Sequence, residues 1–288
     1  MNEYLTSEVV VDYADGLIGR REALRRLSLM GVGVAVATSM LAACSTPEAT
    51  PAPSSSSSST AAGPPALPTS PITFEGLQAA WAPAAAPRGA VLVIHENRGL
   101  TDHIRSVAGR LAASGFSALA LDLLSEEGGT AHFTDPAQAT AALNAADPAR
   151  FIKDMKTALT ELTRRAPALK LGAMGFCFGG GEVWQLLAAG EPRLSAAAPF
   201  YGPFPSGASL TGSKNAAVLG VYGELDSRVN ATRDAAEAAL TAAGLPHELV
   251  TFPGANHAFF NDTGERYNAP AATEAYQRLI QWFTDHLR

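Results

Sequence analysis

Short apolar runs alternate with segments of helical periodicity from about Ile72 to the end of the chain. The apolar runs include "GAVLVIHE" (89–96), "SALALDL" (117–123), "KLGAMGF" (170–176) and "AAVLGVYGELD" (216–226). Between them, "DHIRSVAGRLAASG" (102–115) and "ARFIKDMKTALTELTRRA" (149–166) place apolar residues at helical spacing. Nearly continuous apolar strands separated by helices predict an α/β fold, in which a mostly parallel central sheet carries helices on both faces.

Polar residues follow several of these strands at their carboxyl ends. His95 and Glu96 follow the first run, Cys177 and Asp226 follow two later runs, and His257 follows "LVTFPGA" (249–255). Sites in open parallel sheets lie beyond the carboxyl ends of the strands, so these residues are the candidate site. Nucleophile, acid and base in this chain order are typical of the α/β-hydrolase fold.

The stretch "GFCFG" (175–179) places Cys177 at a predicted sharp turn from a strand into a helix. A nucleophile on such a turn needs small neighbours, which Gly175 and Gly179 provide. The N-terminus of the following helix favours a thiolate. The alternative is an inert, buried cysteine at a glycine-rich junction. Because an aspartate and a histidine follow in the expected order, we interpret Cys177 as a nucleophile.

His257, in the predicted loop "PGANHAFF" (253–260), is the candidate general base. Asp226 is the candidate that orients its imidazole, and Glu224, two residues away, is the rival. Backbone N–H groups of Asn97 and Phe178 are expected to form the oxyanion hole, since one donor usually comes from the loop after the first strand and the other from the residue after the nucleophile.

Four motifs together resemble the dienelactone hydrolases, also called carboxymethylenebutenolidases. They are "VIHENRGL" (93–100), "GFCFGGG" (175–181), "VYGELD" (221–226) and "NHAFF" (256–260). The resemblance covers residues 72–288 and implies a Cys-His-Asp triad of Cys177, His257 and Asp226. It also implies that Glu96 contacts the thiol and takes part in its activation, and that the chain hydrolyses carboxylic ester or lactone bonds.

The regions that carry substrate-binding arginines in this family differ here. "DLLSEEGGT" (122–130) has Ser125, Glu126 and Glu127, and "HAFFND" (257–262) has Asn261. An acidic rim would repel an anionic lactone, so we expect a neutral ester, lactone or related acyl compound. Arg98, Arg105 or Arg266 are the candidates that could replace the missing arginines.

The N-terminal part of the chain has the pattern of an export signal. "RREALR" (20–25) precedes the apolar "LMGVGVAVATSMLAAC" (29–44), which resembles a twin-arginine signal ending in a bacterial lipoprotein box. We therefore predict a signal peptide over residues 1–43, lipidation of Cys44, and a disordered Ser/Pro/Ala-rich tether over residues 44–71. The alternatives are a plain membrane anchor, or a buried helix with an incidental cysteine.

Composition limits the remaining function classes. The net charge of −6 argues against nucleic acid as a partner. No pair of histidines has metal-ligand spacing, so we expect no metal and no cofactor.

The sequence predicts an exported, membrane-anchored, monomeric esterase. Its expected partners are a small-molecule ester or lactone and, through its lipid, the bilayer. The alternative is a catalytically silent lipoprotein that keeps the hydrolase fold as a binding module. A redox-sensing Cys177 is disfavoured, because the only other cysteine is Cys44.

Overall fold

The computed structural model describes residues 2–43 and 61–288, which form a mixed α/β structure around an eight-stranded sheet. The strand order is β1-β2-β4-β3-β5-β6-β7-β8, with β1, β2 and β4 joined antiparallel and all other neighbours parallel. The strands are β1 (Ser70–Phe74), β2 (Leu77–Ala82), β3 (Ala90–Ile94), β4 (Ser117–Asp122), β5 (Leu171–Phe176), β6 (Leu194–Phe200), β7 (Ala217–Gly223) and β8 (His247–Phe252).

The helices of the described residues connect or cover these strands. They are α1 (Asn2–Ala14), α2 (Arg20–Leu29), α3 (Val34–Ala43), α4 (Asp102–Ala113), α5 (Pro136–Ala145), α6 (Pro148–Arg165), α7 (Phe178–Ala188), α8 (Ser227–Asn230), α9 (Arg233–Ala243) and α10 (Ala269–His286). Three of them begin with a proline in the first turn and a capping side chain, supplied by Asp135, Asp147 and Asn268. Such caps satisfy backbone N–H groups that have no partner inside the helix.

Both faces of the sheet are covered, as the apolar strands predict. Every residue of β3, β4 and β5 is buried, and alternate side chains of a strand point to opposite faces. Tyr276 of α10 donates a hydrogen bond to the carbonyl of Arg110 in α4 (2.8 Å), which links these two helices. Together with the mostly parallel sheet, this confirms the predicted α/β fold class.

The ordered structure around the sheet begins earlier than the predicted boundary at residue 72. Ala62 is buried and its carbonyl accepts a hydrogen bond from Arg110 (2.8 Å). Leu67 pairs through its backbone with Gly109 (3.1 Å), and Ser70 lies in β1. The predicted tether therefore differs from the structure over residues 61–71, which pack on the domain. Its remaining residues, and Cys44, lie outside the described part of the chain.

The N-terminal helices α1–α3 form a small layer of their own against the domain. Their separate apolar core consists of Val9, Val10, Ala23, Leu27, Ala37 and Leu41. Only Tyr4 and Leu5 of this layer belong to the main core. Among the described residues, none of the helices combines the length and the apolar character that crossing a bilayer requires.

Candidate active site

Cys177 lies on a tight turn between the end of β5 and the start of α7. Its φ of 56° is in the left-handed region, which costs energy for a residue with a side chain. A Cβ on Gly179 would lie 2.8 Å from the carbonyl carbon of Ile94, and one on Gly175 would lie 2.5 Å from the carbonyl carbon of Gly179. The two glycines of the "GFCFG" stretch thus let β5, β3 and α7 approach closely enough to form the turn.

His257 and Asp226 meet Cys177 at the carboxyl ends of the strands. His257 Nδ1 and Asp226 Oδ2 are 2.5 Å apart, and both side chains are buried. Cys177 Sγ lies within 4.8 Å of the His257 ring nitrogen that faces it. The rival carboxylate, Glu224, points elsewhere and accepts a hydrogen bond from the Gly254 backbone (2.7 Å). The structure therefore brings the predicted thiol, imidazole and aspartate together in the order expected from the sequence.

Helix α1 contributes two side chains to the same place, which sequence reasoning missed. Tyr4 Oη lies 3.4 Å from Cys177 Sγ and 3.5 Å from His257 Nε2. Glu8 Oε1 lies 3.4 Å from His257 Nε2, and Glu8 Oε2 lies 3.9 Å from Cys177 Sγ. Tyr4, Glu8 and Asp12 recur every four residues, a spacing that puts them on one face of a helix. This helical spacing was the sequence pattern from which a polar face on α1 could have been predicted.

Arg228, in α8, holds Glu8 in this position. Its guanidinium donates to Glu8 Oε2 (2.6 Å), to Ser7 Oγ (2.9 Å) and to the carbonyl of Tyr4 (3.1 Å). The guanidinium carbon also lies 4.3 Å from the centre of the Tyr4 ring. Each of these contacts joins α1 to the residues that directly follow Asp226.

The ionisable groups of the site influence one another strongly. Burial and the charge of Glu8 raise the pKa of Cys177, and His257 opposes this only in part. Burial would lower the pKa of His257, but the charges of Glu8, Cys177 and Asp226 raise it well above its usual value. Burial would raise the pKa of Glu8, but His257 and Arg228 hold it at about 2. With α1 docked, the arrangement favours a neutral thiol beside a charged imidazole.

Glu8, Cys177 and His257 also place three possible metal-ligand atoms within 4.8 Å of one another. The Arg228 guanidinium already neutralises Glu8, and a metal ion there would meet two cationic groups at close range. The set therefore fits an ion-pair cluster better than a metal site.

Glu96, Asn97 and Phe178 lie where the predicted thiol-activating and oxyanion-hole residues are expected. Glu96 lines the cleft beside Cys177, and its Oε2 accepts a hydrogen bond from Asn261 (2.7 Å). Its Oε1 is buried and has no hydrogen-bond partner in the described part of the chain. Asn97 lines the same cleft, and Phe178 begins α7. The described carboxylate contact of the thiol is with Glu8, so the roles of Glu96 and of the two N–H donors stay predictions.

Two other histidines, His95 and His103, are buried and hydrogen-bonded within the domain. His95 is buried, with Nδ1 2.6 Å from the Glu96 carbonyl and Nε2 accepting from the Leu123 N–H (3.0 Å), and burial lowers its pKa. The position of His103 at the start of a helix predicts a solvated side chain. In the structure His103 is buried and lies 2.6 Å from Asp262. Helix α4 presents this residue to the domain interior, which its position in the sequence alone does not reveal.

The cleft above Cys177 has a volume of about 270 Å³ and is shared between α1 and the domain. Its lining includes Glu8, Asp12, Arg98, His257 and Arg266. Two of the three arginines named as possible replacements, Arg98 and Arg266, are thus in the cleft. The third, Arg105, lies on α4 beside Asp102, at 4.0 Å.

The predicted acidic rim is not part of this lining. Arg150 pairs with Glu127 at 2.5 Å and with Glu126 at 3.4 Å. Ser125 hydrogen-bonds to the Asp122 carbonyl and accepts from the Gln78 N–H. These contacts hold the segment against the antiparallel end of the sheet, and Ser125, Glu126 and Glu127 do not line the described cleft.

The family model that matches residues 77–287 is the dienelactone hydrolase family. The chain belongs to this family. A protein of Escherichia coli O157:H7 named "Putative carboxymethylenebutenolidase" is 33% identical over 212 residues, which are 69% of this chain and 78% of that protein. A protein of the same name from Saccharolobus solfataricus is 31% identical over 228 residues, covering 67% of this chain and 88% of that protein.

Solved structures agree with this assignment. A "Putative Dienelactone Hydrolase" from Klebsiella pneumoniae has a TM-score of 0.65 at 30% identity, covering 75% of this chain and 96% of that one. The dienelactone hydrolase from Anabaena variabilis has a TM-score of 0.57 at 22% identity, covering 76% and 97%, and supports the fold alone. The dienelactone hydrolase resemblance and the α/β-hydrolase fold are therefore confirmed.

Proposed function

We propose that this member of the dienelactone hydrolase family hydrolyses carboxylic esters or lactones through Cys177, His257 and Asp226. The observation that carries the proposal is the thiol on a left-handed turn, with His257 within 4.8 Å and Asp226 2.5 Å from the other ring nitrogen. A silent binding module would not need a strained backbone at a cysteine beside a buried histidine–aspartate pair.

The proposed reaction has two halves. When Glu8 no longer lies against His257 and the imidazole is neutral, Cys177 Sγ attacks the ester carbonyl carbon while His257 accepts the thiol proton. The resulting oxyanion is bound by the N–H groups of Asn97 and Phe178. The oxyanion collapses to a thioester, and the alcohol leaves with the proton from His257. Water, deprotonated by His257, then attacks the thioester, and the carboxylic acid product leaves. Asp226 keeps Nδ1 protonated, so that Nε2 faces the thiol.

Glu96 is proposed to tune the thiol. Glu96 lines the cleft that holds Cys177, and one of its carboxylate oxygens is buried with no hydrogen-bond partner within residues 2–43 and 61–288. A substrate that changes the contact between Glu96 and the cleft would change the electrostatic environment of the sulfur.

The test is a screen with activated aryl esters and lactones, run on the full-length chain and on the form recovered from a bacterial membrane fraction. Cys177→Ala is expected to lower kcat/KM by at least about 10³-fold with an unchanged circular dichroism spectrum. In the native protein, intact-mass measurement during turnover should detect the acyl-enzyme. Equal turnover by the native protein and Cys177→Ala would contradict the mechanism.

We also propose that the chain is exported and tethered to a membrane through a lipid on Cys44. The support is the basic-then-apolar pattern ending in "LAAC", and the exposure of Val34 and Val36 on α3 (68% and 57%). Intact-mass analysis of the membrane-bound form should show a chain that begins at Cys44 and carries acyl groups. A full-length, unmodified chain in that fraction would contradict this part of the proposal.

A further inference from the structure

Helix α1 covers the two reactive groups of the candidate triad. Tyr4 Oη lies 3.4 Å from Cys177 Sγ and 3.5 Å from His257 Nε2. Glu8 Oε1 lies 3.4 Å from the same ring nitrogen, and its Oε2 lies 3.9 Å from the sulfur. Cys177 and His257 are only 3% and 1% exposed. The sulfur that attacks an ester and the nitrogen that accepts its proton are therefore both in contact with the N-terminal segment.

These contacts are incompatible with the first step of ester cleavage. A carbonyl carbon has to come within about 3–3.5 Å of the sulfur for attack, and the Tyr4 hydroxyl already lies at that distance. The imidazole of His257 lies between two carboxylates, with Asp226 at one nitrogen and Glu8 at the other. Two carboxylates stabilise the doubly protonated ring, which has no free nitrogen for the thiol proton. Docked α1 thus opposes both the approach of an ester and the proton transfer.

Two arginines of the domain hold α1 in this position. Arg228 donates three hydrogen bonds to the helix, the shortest to Glu8 (2.6 Å). Arg266 pairs with Asp12 (3.0 Å) and with Asp15 (2.7 Å), which directly follows α1. Charge-assisted hydrogen bonds at two separate points fix the register of the helix on the domain. The polar face of α1 is therefore directed at the triad by specific contacts.

The N-terminal layer is nevertheless separable from the domain. Helices α1–α3 have an apolar core of their own, and Tyr4 and Leu5 are the buried residues that α1 adds to the main core. The core around the sheet consists otherwise of residues of the domain itself. Lifting or removing residues 2–43 therefore leaves the sheet and the triad packed while it uncovers the sulfur.

We propose that α1 is an intramolecular inhibitor, which keeps Cys177 and His257 from substrate until residues 2–43 are displaced or removed. Its effect on catalysis rests on the proposed hydrolase function, whereas the shielding of the thiol can be tested without ester turnover. Combined with the proposed export, the inhibitor keeps the precursor silent and confines ester cleavage to the compartment where the N-terminal segment is removed.

The experiment measures the space above the sulfur with two neutral thiol reagents, the small iodoacetamide and the larger N-phenylmaleimide. The full-length parent chain carries Cys44→Ser, so that Cys177 is the only thiol. Both reagents react with the thiolate, so a change in the thiol pKa affects both alike. The ratio of the N-phenylmaleimide rate to the iodoacetamide rate therefore reports how far α1 covers the site. Ester turnover is measured on the same samples.

The first arm removes the two covering side chains in the full-length chain. Tyr4→Ala combined with Glu8→Ala should raise both the reagent ratio and ester turnover about tenfold or more, since the uncovered state becomes the main population. Glu22→Ala is the matched control, because it removes a carboxylate of the same segment whose partners, Arg25 and Arg26, lie in α2 itself. The control should keep the parent values, and circular dichroism melting checks that each variant is folded.

The second arm keeps every contact residue and cuts the folded chain between the segment and the domain. A recognition sequence for a site-specific protease is placed between residues 50 and 59. A covalently joined segment acts at an effective concentration on the order of millimolar, which cleavage abolishes. The reagent ratio and turnover of the cut protein should rise as the sample is diluted, whereas those of the uncut parent should not depend on concentration.

The proposal is overturned if the double variant and the diluted cut protein both keep the reagent ratio of the parent. An increase as large in Glu22→Ala would also overturn it, since it would indicate a general loosening of the segment. A raised reagent ratio without ester turnover in any sample would count against the proposed hydrolase function and leave the shielding in place. Full turnover in the uncut parent would contradict the inhibition and leave the hydrolase function intact.

Discussion

Cys177 has a strained backbone conformation and several buried polar neighbours. Its φ of 56° places the sulfur at the end of β5, where it is buried among polar groups of Tyr4, Glu8 and His257. Burial and the nearby Glu8 carboxylate raise the thiol pKa, although the N-terminus of α7 acts in the opposite direction. While α1 is docked, burial and Glu8 therefore favour the protonated form of this thiol.

Replacing Asp226 with asparagine should lower kcat by about 10³–10⁴-fold, since the amide can no longer hold Nδ1 protonated and Nε2 free. Steady-state kinetics on an ester that the native protein cleaves measures the effect, and KM should change little. The matched control is Glu224→Gln, which removes the rival carboxylate that bonds to Gly254. A loss of kcat in Glu224→Gln as large as that in Asp226→Asn would contradict the assignment of Asp226 as the residue that orients His257.

Glu182, in α7, makes the stability depend on pH. It is buried, neither carboxylate oxygen has a hydrogen-bond partner among the residues that the structure describes, and burial raises its pKa to about 8. Between the ordinary value of 4.5 and 8, the folded state binds a proton that the unfolded state lacks. Stability should therefore fall as pH rises through this window, by an amount on the order of a few kcal/mol.

Urea unfolding between pH 5 and 9 tests this dependence. Glu182→Gln should flatten the profile and be more stable than the native chain at the alkaline end. Glu237→Gln, at an exposed position on α9, is the control and should follow the native profile. A Glu182→Gln profile as steep as the native one would show that another group controls the transition.

At the scale of elements, the junction from β5 to α7 depends on close backbone contact. Gly179→Ala would force a Cβ into the main chain of Ile94 and His95. We expect a loss of roughly 2–4 kcal/mol in the free energy of unfolding, together with altered reactivity of Cys177. Gly264→Ala is the control, since its nearest new contact would be an ordinary 3.4 Å and its φ is not positive. Denaturant unfolding should therefore give a clearly lower free energy of unfolding for Gly179→Ala than for Gly264→Ala.

Several ion pairs join helices α1–α3 to the domain. Arg228 with Glu8, Arg266 with Asp12 and Asp15, and Arg25 with Asp135 (2.6 Å) all join the two layers. Tyr4 and Leu5 are their buried apolar residues in the main core, and Met30, which follows α2, packs against it. The pair between Arg25 and Asp135 is exposed, and salt screens such pairs.

For the whole molecule, this division implies two levels of stability. The small core of α1–α3 is separate from the core around the sheet, so the N-terminal layer should open without global unfolding. Native-state hydrogen exchange should show faster exchange in residues 2–43 than in β3, β5 and β7. Raising the salt concentration should increase the exchange of residues 2–43 further. Equal protection of both regions would mean that the chain unfolds as one unit.

Local patterns in the sequence were sufficient for the fold class, and they placed three candidate site residues at one edge of the sheet. Apolar strands alternating with helices imply a covered parallel sheet, and the carboxyl ends of such strands meet at one edge. Cys177, Asp226 and His257 follow three of these strands, so their approach follows from topology. The export and lipidation of the N-terminal segment stay predictions.

Only the tertiary structure decided between Asp226 and Glu224, moved Glu126 and Glu127 away from the cleft, and brought Glu8 to Cys177. Contacts between residues more than 160 positions apart depend on how separate layers pack, and helical spacing gives a face but not its partner. A strand's own apolar pattern determines that it is buried, because burial follows local chemistry. The neighbour that each polar group meets depends on the three-dimensional arrangement of the whole chain.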